Sequence, residues 1–168
     1  MSGFGIFPDH APQYGAVDTY KIAADWLDGH GTVYDWGAGP GFSRHFFADS
    51  KWVGLDGTFA GEKNVDLAEV KVECDSILMR HVLEHNPLCW QRILDNAICS
   101  FSQRMALVTF TAFADETHVF KTERYGDFDL PYLRFAKSEI LEIIGDCLVS
   151  DIAVHTTHPE HVFLMEKR

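Results

Sequence analysis

Apolar positions along the chain follow two rhythms. Over residues 14–27 they fall at Tyr14, Val17, Tyr20, Ala24 and Leu27, the spacing of one face of an α-helix, and Gly29 and Gly31 close the segment. Short apolar runs then predict strands over 32–36, 51–56, 75–80 and 105–110, with a brief third strand over 64–67. Helical spacing returns between them. Residues 41–48 read as a helix opened by Pro40, a residue suited to a first turn. Residues 87–101 place Trp90, Ile93, Leu94, Ala97 and Ile98 on one face. Residues 137–144 carry Glu139 and Glu142 in their early turns, where acids suit the helix dipole. Two strands, 148–155 and 161–166, close the chain across a short link containing Pro159, which predicts an antiparallel pair. Strands alternating with helices and ending in a hairpin predict an α/β fold: a Rossmann-like three-layer sandwich around a mostly parallel sheet.

Composition narrows this picture. A chain of 168 residues with 46% hydrophobic content is expected to form a single domain over 1–168. A net charge of −11 argues against a broad phosphate-binding face, so nucleic acid is not an expected partner. No apolar run reaches the roughly 18 residues of a membrane span. The opening "MSGFGIFPDH" lacks a basic segment followed by an apolar one, so no signal peptide and a cytoplasmic location are expected. Cys74, Cys89, Cys99 and Cys147 form no C-x-x-C pair and read as free thiols. The nine histidines include no H-E-x-x-H, and no metal is expected.

Chemistry concentrates in "VYDWGAGPGFSRHF", residues 33–46. Gly37, Gly39 and Gly41 follow the first strand, where a tight bend lets a ligand approach bare backbone; the plainer alternative is a turn that needs positive φ and holds no ligand. A dinucleotide fingerprint, G-x-G-x-x-G, would need glycine where Phe42 stands. Pro40 also lacks the N–H that a pyrophosphate would use, and the G-K-[ST] of a Walker loop is absent. These features favour a ligand without phosphates. Asp56 ends the second strand 21 residues after Asp35, where an acid can accept both hydroxyls of a ribose, although Asp56-Gly57 is also a plain turn pair.

"YDWGAGPG", "VGLDG" and "DSILMRHVLEH" together resemble the successive motifs of class I S-adenosylmethionine-dependent methyltransferases, and the resemblance runs from about Thr32 to the closing hairpin. It implies a seven-stranded sheet of order 3-2-1-4-5-7-6 with strand seven antiparallel. It also implies a cofactor site. Asp35, Trp36, Gly37, Ala38 and Gly39 would hold the methionine end. Asp56 and Gly57 would hold the ribose, and Asp66 and Leu67 would flank the adenine. Arg80 and His81 would face the sulfonium and the substrate. The segments 57–63 and 68–74 are too short for normal crossovers, so the strand-three edge is expected to be reduced.

The implied reaction is in-line methyl transfer to a small-molecule acceptor, with RNA or protein methylation and a non-catalytic cofactor-binding module as alternatives. Catalytic candidates are His81, as a base titrating near neutrality, and Arg80. Glu84 and His85 are read as capping or orienting the next helix. RNA 3′-end methyltransferases use a related E-x-x-E-H metal cluster, whose first acid is replaced here by His81. Trp36, Phe42 and Tyr14 are candidates for cation–π contact with a sulfonium. Residues 113–135 are long for a plain connection and are read as a substrate-recognition insertion. Within it, Arg124, Tyr125 and Arg134, together with Tyr14, are the substrate-binding candidates, and residues 1–30 are read as a lid. A monomer or a homodimer is expected.

Overall fold

The structure, a computed structural model, describes residues 17–57, 63–110, 112–155 and 159–168. Helix α1 (Val17–Leu27) leads into β1 (Thr32–Trp36), and β2 (Lys51–Asp56) follows. Next come a two-residue β3 (Lys63–Asn64), β4 (Cys74–Arg80), α2 (Trp90–Ser100) and β5 (Phe101–Phe110). A hairpin of β6 (His118–Tyr125) and β7 (Phe128–Arg134) precedes α3 (Lys137–Ile144), β8 (Leu148–Val154) and β9 (Glu160–Glu166).

Seven strands form one sheet in the order β3-β2-β1-β4-β5-β9-β8, the expected class I order. The β1, β2, β3, β4 and β5 pairings are parallel, and β9 runs antiparallel to both β5 and β8. Side-chain alternation sorts each strand between two cores. Trp36, Leu55, Ile77, Met79, Leu107 and Phe163 pack beneath α2 and α3. Val33, Leu78, Val108 and Val162 pack beneath Ala23 and Leu27 of α1. Each large apolar side chain fully buried here contributes roughly 1.5–3 kcal/mol. No described helix is long and apolar enough to cross a membrane.

Several elements differ from their sequence expectation. Residues 41–48 yield a single 3-10 helix, Phe42–Phe46, after Gly41 in the left-handed region. The Arg44 N–H bonds Gly41 O, the tighter three-residue spacing, and β2 begins five residues after the helix ends. The third strand is shorter and earlier than 64–67. The chain instead turns at Asp66, whose carbonyl accepts the N–H groups of Glu69 and Val70, so Asp66 and Leu67 lie beyond β3. Helix α2 starts at Trp90, because residues 87–89 form a turn in which the Cys89 N–H bonds Asn86 O at 3.1 Å. Strand β5 extends back to Phe101, and β9 begins at Glu160.

Most of residues 113–135, the segment expected to be an insertion, form a two-stranded sheet of their own, β6 and β7. Its register runs from His118↔Arg134 to Tyr125↔Phe128 around a Gly126-Asp127 turn, with Gly126 at φ 58°. Pro131 can stand in β7 because this ribbon has only one paired edge. The hairpin packs on the Leu83–His85 turn, at the carboxyl edge of the main sheet. There His85 Nδ1 donates to Pro131 O at 3.0 Å, and the His85 ring meets Tyr132 edge-on.

Candidate active site

The strand order reverses direction between β1 and β4, and the crevice beyond their carboxyl ends is where an open α/β sheet places a ligand. The bend after β1 forms one wall. Gly37, Gly39 and Gly41 have φ of 81°, 50° and 79°, conformations that a residue with a Cβ adopts only under strain. They serve different needs. A Cβ on Gly37 would lie 2.2 Å from Val82 Cγ2, so this glycine permits close packing of the bend on the β4 turn. A Cβ on Gly39 would meet no atom of the described residues within 4 Å, so its backbone faces space that those residues leave open.

Every backbone donor of the bend is already used. The N–H groups of Gly37 and Ala38 both bond Leu55 O, at 2.7 and 3.1 Å, and the Gly41 N–H bonds Ala38 O at 2.9 Å. The Gly39 N–H donates to Asp56 Oδ2 at 2.7 Å, and Pro40 has none. A phosphate cradle needs several converging N–H groups. This bend offers none, and that agrees with the sequence reading against NAD, FAD or a nucleotide phosphate.

Two buried carboxylates flank the bend. Asp56 finishes β2 with its carboxylate turned toward Gly39. Asp35 lies on the α1 face of β1, hydrogen-bonded to the Ser43 hydroxyl, which itself accepts from Trp52 Nε1 at 2.9 Å. Burial pushes the Asp35 carboxyl up to about 7, and the nearby Asp56 adds to the shift. The Trp36 side chain is fully buried in the α2-side core, so only its backbone borders the crevice side of the bend. Gly57 is exposed, and Asp66 is exposed with its carboxylate accepting the Ala68 N–H at 2.9 Å. Leu67 is buried behind it.

The opposite wall is the end of β4, where the structure brings together residues far apart in sequence. Arg80 donates through Nε to Thr19 Oγ1 at 3.2 Å, through Nη1 to Tyr20 Oη at 3.1 Å and through Nη2 to Glu160 Oε1 at 2.7 Å. Its guanidinium lies 4.0 Å from the Tyr20 ring centroid, a cation–π distance. Thr19 Oγ1 donates to Glu160 Oε2 at 2.7 Å. His81 Nε2 lies 2.7 Å from the same Glu160 Oε1, and its ring stacks on Phe110 at 3.9 Å. Burial, with Arg80 and His85 adding to it against the pull of Glu160, lowers the His81 imidazole to about 4, so it is neutral at pH 7. Tyr20 also stacks on Phe46 and meets Phe42 edge-on, which ties α1 to the bend.

Glu84 completes this wall. Its Oε1 accepts the Phe110 N–H at 2.8 Å, and Oε2 is buried without a hydrogen-bond partner among the described residues. Burial raises its carboxyl to about 7. Glu84 therefore clamps the turn to the end of β5. Among the described residues no three His, Cys, Asp or Glu side chains converge to hold a metal ion. His81 turns to Glu160 and His85 to the hairpin.

The substrate candidates are dispersed. Arg134, at the end of β7, lies with its guanidinium 4.7 Å from the Phe120 ring centroid. Arg124 sits near the hairpin tip, donating to Gly126 O at 3.1 Å and standing 3.9 Å from Asp129. Tyr125 ends β6, and Tyr14 lies outside the described residues. Sequence reading missed Thr19, Tyr20 and Glu160. The available signal was an acid opening an apolar strand, "EHVFLME", where an unpaired carboxylate would be costly to bury.

No family model matches the sequence, and no curated protein does. Solved structures do match. Magnesium protoporphyrin IX methyltransferase from Synechocystis, with bound SAM, aligns over 90% of this chain and 76% of its own at 15% identity and a TM-score of 0.65. The 1,6-didemethyltoxoflavin-N1-methyltransferase of Burkholderia thailandensis was solved with its toxoflavin precursor and S-adenosylhomocysteine. It aligns over 89% of this chain and 76% of its own, at 18% identity and a TM-score of 0.68. An S-adenosylmethionine-dependent methyltransferase from Clostridium acetobutylicum aligns over 90% and 92%, at 9% identity and a TM-score of 0.58.

Proposed function

The chain has the fold of class I S-adenosylmethionine-dependent methyltransferases, and we propose that it is one, acting on a small-molecule acceptor. The observation that carries this reading is the bend. Its donors are all satisfied internally, Gly39 opens onto free space, and a buried carboxylate stands at the end of the neighbouring strand. Such a surface suits an uncharged adenosine and not a phosphate. These residues fit the cofactor. Asp35 and the backbone of Trp36, Gly37, Ala38 and Gly39 would hold the methionine end. Burial raises the Asp35 carboxyl to about 7, and an ammonium group beside it would draw it back toward its ionised form. Asp56 and Gly57 would hold the ribose. Asp66 and Leu67 would border the adenine at the reduced β3 edge.

When bound, the cofactor supplies a methyl group already activated by positive sulfur. The chain's task is then alignment and exclusion of water. His81 would be the group to take a proton from the acceptor. Arg80 has its guanidinium committed to Thr19, Tyr20 and Glu160, so we assign it to positioning instead of the catalytic role first expected. The β6–β7 hairpin would wall the acceptor site, with Arg134 closer to the main sheet than Arg124 and Tyr125 at its tip. Tyr14 and the segment before α1 would form the lid. The small molecules named with two of the similar structures support a small acceptor here, and the four free cysteines support a reducing compartment such as the cytoplasm.

One observation favours a non-catalytic cofactor-binding module as a second reading: Arg80 and His81 already have a partner in Glu160. Calorimetric titration with S-adenosylmethionine, S-adenosylhomocysteine and NAD tests the cofactor. Heat is expected from the two sulfur ligands alone, and its absence overturns both readings. Asp56→Ala is expected to cost roughly 2–4 kcal/mol of that affinity, since it leaves charge-assisted bonds unmade. Incubation of a metabolite extract with methyl-labelled cofactor then separates the readings: label passes to low-mass products for an enzyme and to none for a module.

A further inference from the structure

Asp35 is a buried acid without a counter-charge. It is 4% exposed and forms no ion pair with a described residue. The charged and titratable groups acting on it are Tyr20 of α1, Asp56 of β2 and Arg80 of β4. Asp56 repels its charge, and the Arg80 guanidinium is already held by Thr19, Tyr20 and Glu160. A carboxylate left in that state is costly to bury. What offsets the cost is neutral. Ser43 Oγ donates to Asp35 Oδ2, and Trp52 Nε1 donates to Ser43 Oγ at 2.9 Å.

Packing around the bend builds this donor chain. Ser43 lies in the 3-10 helix Phe42–Phe46 and is buried. The Trp52 indole reaches it from β2 by lying across two glycines. A Cβ on Gly41 would come within 3.2 Å of Trp52 Cη2, and one on Gly54 within 2.5 Å, so both glycines leave room for the ring. An indole N–H can only donate. It therefore meets a lone pair of the hydroxyl and leaves the hydroxyl hydrogen for Asp35. A hydrogen bond donated to a carboxylate favours the charged form, and Ser43 and Trp52 both oppose the burial that pushes Asp35 up to about 7. Ser43 engages Oδ2 alone, and Oδ1 is not sealed away as Glu84 Oε2 is.

We infer that Ser43, seated by Trp52, is the positioning residue for Asp35 in cofactor binding: it holds Oδ2 and favours the charged carboxylate, leaving Oδ1 for the ammonium group at the cofactor's methionine end. The inference rests on the methyltransferase reading. The ammonium group supplies the counter-charge that the chain lacks. Affinity for a ligand carrying it therefore rises with pH as Asp35 ionises, through about 7, and then levels off. Removing the hydroxyl raises the Asp35 midpoint and carries that rise to higher pH. A ligand with the adenosine part but no amino-acid end feels neither effect. A Ser43 that only filled space would move neither the midpoint nor the rise.

Carboxyl 13C shifts of protein labelled at aspartate, followed across neutral pH without ligand, read the Asp35 midpoint, with Asp35→Asn identifying the signal. Wild type is expected to titrate at about 7. Ser43→Ala is expected to raise the midpoint by about one pH unit, the size of a hydrogen bond to a charged group. Trp52→Phe, which keeps the hydroxyl but removes its donor, is expected to raise it by less. Calorimetry at each pH then gives affinity. S-adenosylhomocysteine binding is expected to rise with each protein's own midpoint, and 5′-methylthioadenosine binding to stay level throughout. An unchanged midpoint in Ser43→Ala, or S-adenosylhomocysteine affinity rising at the same pH in both proteins, overturns the inference. Should Ser43→Ala fail to fold, Trp52→Phe decides it by the same two readings. No heat from S-adenosylhomocysteine at any pH overturns the methyltransferase reading even where the midpoint moves; normal heat with an unmoved midpoint overturns the role of Ser43 alone.

Discussion

On the β1–β2 side of the crevice the chain makes its shape with backbone conformation; on the β4–β5–β9 side it uses buried charge. The bend needs three glycines and a carboxylate 17 residues from the N–H it accepts. The β4 wall joins Arg80 to a carboxylate 80 residues away, which is bonded in turn to a threonine 141 residues from it. The first wall is a local device that leaves room for a ligand. The second is a long-range device that closes the molecule, since Glu160 ties together α1, β4 and β9 at once. A ligand is expected to depend on the first and the stability of the fold on the second.

Glu160→Ala is the strongest test of that division. It would leave Arg80, whose side chain is 5% exposed, buried without its counter-charge. Breaking a buried pair from one side costs about 3–5 kcal/mol. Chemical denaturation of the ligand-free protein is the measurement. A loss under 1 kcal/mol would mean that water or Tyr20 satisfies Arg80, and that this wall does not close the fold.

The same division explains what could be read from the chain before folding. The bend was legible because its determinants are consecutive: glycines between an apolar run and a helix start, with acids at two strand ends. The sheet order came from the family resemblance that the successive motifs carry, while most of its strands showed as apolar runs; the two-residue β3, Lys63–Asn64, did not. The Glu160 hub was not, because periodicity places Thr19 on a helix face and Glu160 at a strand boundary but cannot say that they meet. The hairpin was missed for another reason. Polar residues and Pro131 obscured β6 and β7, although Gly126-Asp127 between two runs rich in aromatic and β-branched residues is a two-residue hairpin signal. The helix after Pro40 was over-read, since a proline suited to a first turn does not determine how many turns follow.

Within the bend, Gly37 and Gly39 offer a sharper contrast. Both have positive φ, so alanine at either carries left-handed strain of about 1–2 kcal/mol. Only Gly37→Ala adds the overlap with Val82, and overpacking costs a further 1–3 kcal/mol or so. Gly37→Ala is therefore expected to lose about 3 kcal/mol of stability, partly restored by Val82→Ala. Gly39→Ala is expected to lose about 1 kcal/mol while weakening cofactor binding more than tenfold, because its methyl group would enter the open space. Equal stability losses with equal binding would erase the distinction between a packing glycine and a ligand glycine.

A smaller effect than that of Gly37→Ala concerns charge inside the β4 wall. Glu84 has a carboxyl raised to about 7 by burial, above its ordinary value near 4.5. A carboxyl raised in the folded state binds more protons there than in the unfolded chain. Its contribution to stability is therefore complete below the unfolded value and is lost as pH rises through about 7. Glu84→Gln keeps an oxygen for the Phe110 N–H but cannot ionise. Asp35 and His81 titrate in both proteins, so the difference between them isolates Glu84. Between pH 5 and pH 8 wild type is expected to lose about 2 kcal/mol relative to the variant, measured by denaturation at each pH. The unpartnered Oε2 sets the sign: water beside it would let Glu84 ionise at its ordinary value, and the difference would not change with pH. A flat difference would thus relocate Glu84 from the closed wall to the open side of the crevice, where the contrast between shape and charge no longer holds.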